Sequence, residues 1–129
     1  MDDNIKGVLL LGDENSIIQD IKSDVNIITF KDSLLVKVYK YLASKKINSS
    51  MKSELFIENP DIINWVIIFK EYDKNIEDVL NFCEKNKYNL LILKNNINLN
   101  IRPYSFSIIH ANYKSSVRIV ETIFKNKTP

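Results

Sequence analysis

Hydrophobic positions along this chain fall into two alternating patterns, unbroken apolar runs and amphipathic stretches. Gly7-Val8-Leu9-Leu10-Leu11-Gly12 is an apolar run between glycines, as expected of a strand buried on both faces. Asp13-Glu14-Asn15-Ser16 then supply N-capping side chains and first-turn acids, and Ile17, Ile18 and Ile21 recur on one helical face. Val25 to Phe30 is a β-branched run that predicts a second strand. Strand, helix and strand in such quick succession imply parallel pairing through a right-handed crossover. Asp32-Ser33 caps the next predicted helix, with Leu34, Leu35, Val38, Tyr41 and Leu42 on its apolar face. Lys37, Lys40, Lys45 and Lys46 form its polar side and C-terminal charges.

Beyond that helix, Leu55-Phe56-Ile57 predicts a short strand, and Pro60 breaks the regular structure around it. Trp65 to Phe69 reads as a buried strand, and Ile76, Val79, Leu80 and Cys83 mark a helix running to about Lys87. Leu90 to Leu93 is another buried strand. Asn95 to Pro103 is Asn-rich and reads as a loop, and Ser105 to Ala111 predicts the last strand. A closing helix from Ser115 or Ser116 places Val117, Val120 and Phe124 along one side. This alternation predicts one three-layer α/β domain over residues 1–129, flavodoxin-like or Rossmann-like, with a mostly parallel five-stranded sheet.

Composition narrows the classes. The 129 residues are 45% hydrophobic and 26% charged, enough apolar material for a core and enough charge for a soluble surface. Cys83 stands alone, which excludes a disulfide scaffold. No apolar run approaches the ~20 residues of a membrane span, and Met1-Asp2-Asp3-Asn4 lacks a signal-peptide pattern, so cytoplasm is the expected compartment. A formal net charge of +2 gives no argument for nucleic acid. Residues 101–129 do hold Arg102, Lys114, Arg118, Lys125 and Lys127 against Glu121 alone, which fits a solvated helix face better than a nucleic-acid site. Glycine is scarce: only Gly7 and Gly12, where average usage of ~7% would give about nine. Asn, abundant in the loops, is therefore expected to fill most positive-φ positions.

Candidate chemistry lies where α/β sheets bind ligands, outside the carboxyl ends of the strands. A dinucleotide fingerprint needs several glycines for close approach of pyrophosphate to backbone. Here Gly12 is followed by Asp13 and Glu14, whose carboxylates repel phosphate, so no dinucleotide and no other cofactor is expected. No Walker box, His-Glu-x-x-His or Cys-x-x-Cys occurs, so no metal site is expected from motifs. Cys83 on an apolar helix face reads as a packed thiol, and His110 at a strand end as a structural histidine.

The stretch Val8-Leu9-Leu10-Leu11-Gly12-Asp13-Glu14-Asn15-Ser16-Ile17-Ile18 resembles the start of response-regulator receiver domains. That resemblance implies Asp13 and Glu14 as the acids on the Mg²⁺ side, and Lys114 where the family keeps its lysine. The middle strand ends in Phe69-Lys70, with no phosphoacceptor Asp, and Lys94-Asn95 replace the Ser or Thr expected after the fourth. The resemblance thus implies a pseudo-receiver that is not phosphorylated and works by binding a protein partner. Two chains pairing through an apolar edge or helix face in the last thirty residues is the homodimer variant. The alternative is a small-ligand or nucleotide-binding module using Asp13, Asn15, Asp32 and Lys94, with Asp32 placed for a ribose hydroxyl. Neither reading involves a membrane. A plainer account makes Asp13, Glu14, Asn15 and Ser16 helix-capping groups.

Overall fold

Among the described residues five short strands pair side by side, all parallel, in the order β2-β1-β3-β4-β5. They are β1 (Val8–Leu11), β2 (Ser49–Lys52), β3 (Trp65–Phe69), β4 (Asn89–Leu93) and β5 (Ile108–His110). Among the described residues three α-helices accompany them: α1 (Leu34–Ser44), α2 (Ile76–Asn86) and α3 (Ser116–Phe124), with 3₁₀ turns at Pro60–Ile62 and Tyr113–Ser115. This computed structural model describes residues 4–12, 33–95, 97, 99 and 103–125. The predicted helix at Ile17–Ile21 and strand at Val25–Phe30 lie outside the described residues.

Burial separates the inner strands from the edges. Every residue of β1 and β3, and all of β4 after Asn89, is buried, because helices or loops cover both faces of a parallel sheet. Alternate side chains sort cleanly. Val8, Leu10, Trp65, Ile67, Phe69, Leu91 and Leu93 pack under α1 and α3. Leu9, Leu11, Val66, Ile68, Leu90 and Ile92 face α2. The edge strands carry no such run. β2 reads Ser-Ser-Met-Lys and has no buried residue, so hydrophobic pattern could not reveal it; its register on β1, Val8 with Ser49 through Leu11 with Lys52, does. The strand predicted at Leu55-Phe56-Ile57 is not one: Leu55 and Ile57 are half-buried anchors of the β2–β3 connection, and Phe56 is exposed. β5 is only the end of the run predicted from Ser105.

The handedness of crossovers explains which layer each helix joins. From β1 the chain goes to β2 in one direction across the sheet, then returns past β1 to β3, β4 and β5 in the other. A right-handed connection reverses faces when its direction reverses. Hence α1 lies on one face, while α2 and the connections around Leu55, Ile57, Leu99 and Phe106 lie on the other. After β5, α3 returns to the first face beside α1, where Phe124 meets Trp65 edge to face at 5.2 Å. This is the three-layer, flavodoxin-like arrangement, with a parallel sheet throughout.

The helix ends show what the scarce glycines do and do not do. Among the described residues the positive-φ positions belong to Lys46 (φ 61°) and Lys87 (φ 58°), not to Asn or Gly. Each follows a helix and precedes a buried apolar residue, Ile47 or Tyr88. The Ile47 N–H donates to the Leu42 carbonyl at 2.9 Å and the Lys46 N–H to Ala43 at 3.0 Å, a complete Schellman pair. The Tyr88 N–H likewise donates to Cys83 at 3.0 Å. Burial of Ile47 and Tyr88 forces the turn and overrides the ~1–2 kcal/mol preference of an L-residue against it. The two glycines serve close approach instead. A Cβ on Gly7 would stand 2.6 Å from the Ile62 carbonyl oxygen, and one on Gly12 2.5 Å from Leu35 Cδ1.

Candidate functional site

The carboxyl edge of the sheet is built on Gly12, Lys70, Lys94 and Ala111, the residues that leave β1, β3, β4 and β5. Order reverses between β1 and β3, and there an open α/β sheet offers its crevice. Gly12 is tied on one side, its N–H donating to the Lys52 carbonyl at 2.9 Å. The space its missing side chain leaves is taken by the Leu35 methyl and Phe69 Cβ. Thus the glycine admits the first turn of α1, capped by Ser33 Oγ accepting from Val36 N–H at 3.2 Å, rather than presenting bare backbone to a phosphate.

Beyond β3 the chain turns through Lys70 and Glu71, and Tyr72 drops into the core under α2. Burial raises the Tyr72 phenol above its usual range, and Asp78, Asp73 and Glu54 add to the rise. The Tyr72 carbonyl stays at the surface and accepts from the Lys94 ammonium. Lys94 in turn offers its own carbonyl to His110 at 2.7 Å. A carbonyl only accepts, so His110 Nε2 is the donor in this bond. Lys94 and His110 thus tie together the ends of β3, β4 and β5.

Next to them lies a hollow of about 420 Å³ lined by Asn95, His110, Ala111 and Asn112. Asn112 organises the entry to α3. Its Oδ1 accepts from Lys114 N–H at 2.9 Å, and its carbonyl accepts from Ser115 N–H at 3.0 Å and Ser116 Oγ at 3.2 Å. The Asn112-x-Lys114 spacing is an Asx turn, a signal that the sequence does contain.

Of the residues predicted for a site, Asp13, Glu14, Asn15 and Asp32 lie outside the described residues. Lys94 and Lys114 are both at the carboxyl edge, Lys94 half-buried on a backbone carbonyl and Lys114 exposed on the 3₁₀ turn. Cys83 is fully buried, and burial pushes its thiol up to about 12, which makes it inert packing. Among the described residues, no three His, Cys, Asp or Glu side chains are placed to hold a metal ion together. No described helix is long and apolar enough to cross a membrane. Compared with protein-family models, curated proteins and solved structures, the chain has no significant match.

A second cleft has no counterpart among the sequence-based expectations. Between α1 and α3 runs a groove of about 390 Å³ lined by Lys37, Val38, Lys40, Tyr41, Val117, Val120 and Glu121. Its parts are legible as two amphipathic helices, but only tertiary packing sets them side by side.

Proposed function

We propose that the chain is a non-catalytic, receiver-like α/β domain that acts through contact with a protein partner in a regulatory role. The observation that carries this reading is the end of β3, in the middle of the sheet. Lys70 stands where a receiver would need its phosphoacceptor carboxylate, and the neighbouring Tyr72 carbonyl is capped by Lys94. The strand order is the one receiver domains share with flavodoxins, which supports the architecture without requiring the chemistry. Titration with beryllofluoride and Mg²⁺, followed by amide chemical shifts, tests it. Asp13, Glu14 and Lys70 are expected to respond no more than to Mg²⁺ alone. A saturable response to beryllofluoride at these residues overturns the reading.

The hollow beside Asn95, His110 and Asn112 favours a second reading, a small-ligand or nucleotide-binding module. A nucleotide held at a hundred times its Kd would add ~2.7 kcal/mol of stability and a clear rise in Tm. A thermal-shift panel of nucleotides without any such rise discards that module.

A further inference from the structure

Charge is unevenly distributed between the two helical layers. Among the described residues α1 carries Lys37 and Lys40 and no acid, and its C-terminal turn adds Lys45 and Lys46. In and after α3, Arg118 and Lys125 accompany the single acid Glu121. On the opposite face α2 and its flanks carry Glu71, Asp73, Glu77, Asp78 and Glu84 against Lys70, Lys74, Lys85 and Lys87, a nearly balanced set. The charged residues lining the groove between α1 and α3 are Lys37 and Lys40 on the α1 side and Glu121 on the α3 side, a net basic rim. Its floor is apolar: Val38 and Val120 are buried, Tyr41 is half-buried, and Val117 keeps 40% of its surface exposed.

We propose that this groove docks an acidic amphipathic helix presented by a protein partner. The proposal rests on the reading of the domain as an interaction module and names the surface and the chemistry of its partner. A helix laid between two helices buries anchors at i, i+3 and i+4 on Val38, Tyr41 and Val117 while its acidic flank reaches Lys37 and Lys40 on the α1 side. Opposite charge on that flank sets partner choice and speeds encounter. A second copy using the same face is disfavoured, because it would bring two rims of the same net basic charge together, with one Glu121 for each pair of lysines. Nucleic acid is disfavoured too, because the apolar floor of Val38, Val117 and Val120 has nothing to offer phosphate.

The test is an amide chemical-shift titration of the full chain with three synthetic peptides. One has leucine at i, i+3, i+4 and i+7 with glutamate elsewhere, one has lysine for glutamate, and one has the first composition scrambled. The acidic peptide is expected to shift α1 and α3 amides selectively. Its binding should weaken at least about tenfold in Val117→Asp and in Lys37→Glu/Lys40→Glu. Unchanged Trp65 fluorescence establishes that these surface variants still fold. Absence of shifts, equal response to the lysine or scrambled peptide, or competition by duplex DNA overturns the proposal. A response confined to other elements overturns the groove but leaves the interaction module standing. A dimer in sedimentation that Val117→Asp dissolves also overturns it, in favour of self-association.

Discussion

The two faces of the sheet bury their strands equally well by different means. Over one face lie α1 and α3, and Trp65 at the start of β3 meets Phe124 at the end of α3 edge to face. The other has, among the described residues, one helix, α2, and is completed by connections. Leu55, Ile57, Ile97, Leu99, Tyr104 and Phe106 are half-buried anchors along otherwise polar segments, and Tyr104 and Phe106 pack edge to face at 5.5 Å. Backbone in such segments lacks a helix's internal hydrogen bonds, so side chains tie it down. The buried Tyr88 hydroxyl donates to the Pro60 carbonyl, and the Asn64 amide holds the chain start by accepting from Lys6 N–H and donating to the Asn4 carbonyl. A helix covers a face with periodic residues, whereas a loop covers it with a few anchors spaced by no rule. The helical face should therefore be the more sensitive to a single deletion.

The largest effect tests that contrast directly. Phe124→Ala removes a wholly buried ring and should cost ~3–5 kcal/mol, whereas half-buried Phe106→Ala should cost about 1–2. Urea unfolding followed by Trp65 fluorescence compares them, and equal losses would break the distinction. Next in size are the glycines. Gly7→Ala drives a Cβ against the Ile62 backbone carbonyl and should cost about 1–3 kcal/mol. Gly12→Ala should cost less in the same assay, because the atom it meets is a leucine methyl. A reversed order would mean that the Leu35 side is the more rigid.

Smaller again is relief at the helix ends. Lys46→Gly and Lys87→Gly each place glycine at a left-handed position and should stabilise by up to about 1 kcal/mol, raising the urea midpoint. Loss of stability in either would show that the lysine stem contributes more than the turn costs. The smallest change at neutral pH concerns Cys83. Its folded thiol titrates at about 12, above the ordinary 9.0, so the unfolded chain loses this proton first as pH rises. The thiol's contribution is intact below pH 9.0 and declines from there towards about 12. Cys83→Ala should flatten that part of the alkaline stability profile. A thiol reagent should label Cys83 in urea but not in the native protein.

Much of the fold was legible because burial repeats along the chain. The inner strands are unbroken apolar runs, α1, α2 and α3 show their apolar faces, and Ser33 caps α1 as its position suggested. The edge strand β2 was illegible for a physical reason: Ser49-Ser50-Met51-Lys52 takes its conformation from hydrogen bonds to β1, and little of it needs to be apolar. Among the described residues, the expectation that Asn would occupy the left-handed positions was not met either. Local preference chose Asn, but burial of Ile47 and Tyr88 dictated the turn and left Lys46 and Lys87 to adopt it.

The candidate site divides along the same line. Gly12 and Lys94 could be placed at the carboxyl edge from strand ends alone. That Leu35 fills the space beside Gly12, and that Lys94 reaches back to the Tyr72 carbonyl, depended on how separate segments pack. By itself the sequence determined an α/β chain with buried inner strands, amphipathic helices and too few glycines for a phosphate-cradling loop, since periodicity and composition are local properties. The tertiary structure decided the strand order, the use of both glycines for close approach, and the meeting of α1 and α3 over an apolar groove. Those outcomes turn on contacts between residues far apart in the chain, which no local pattern records.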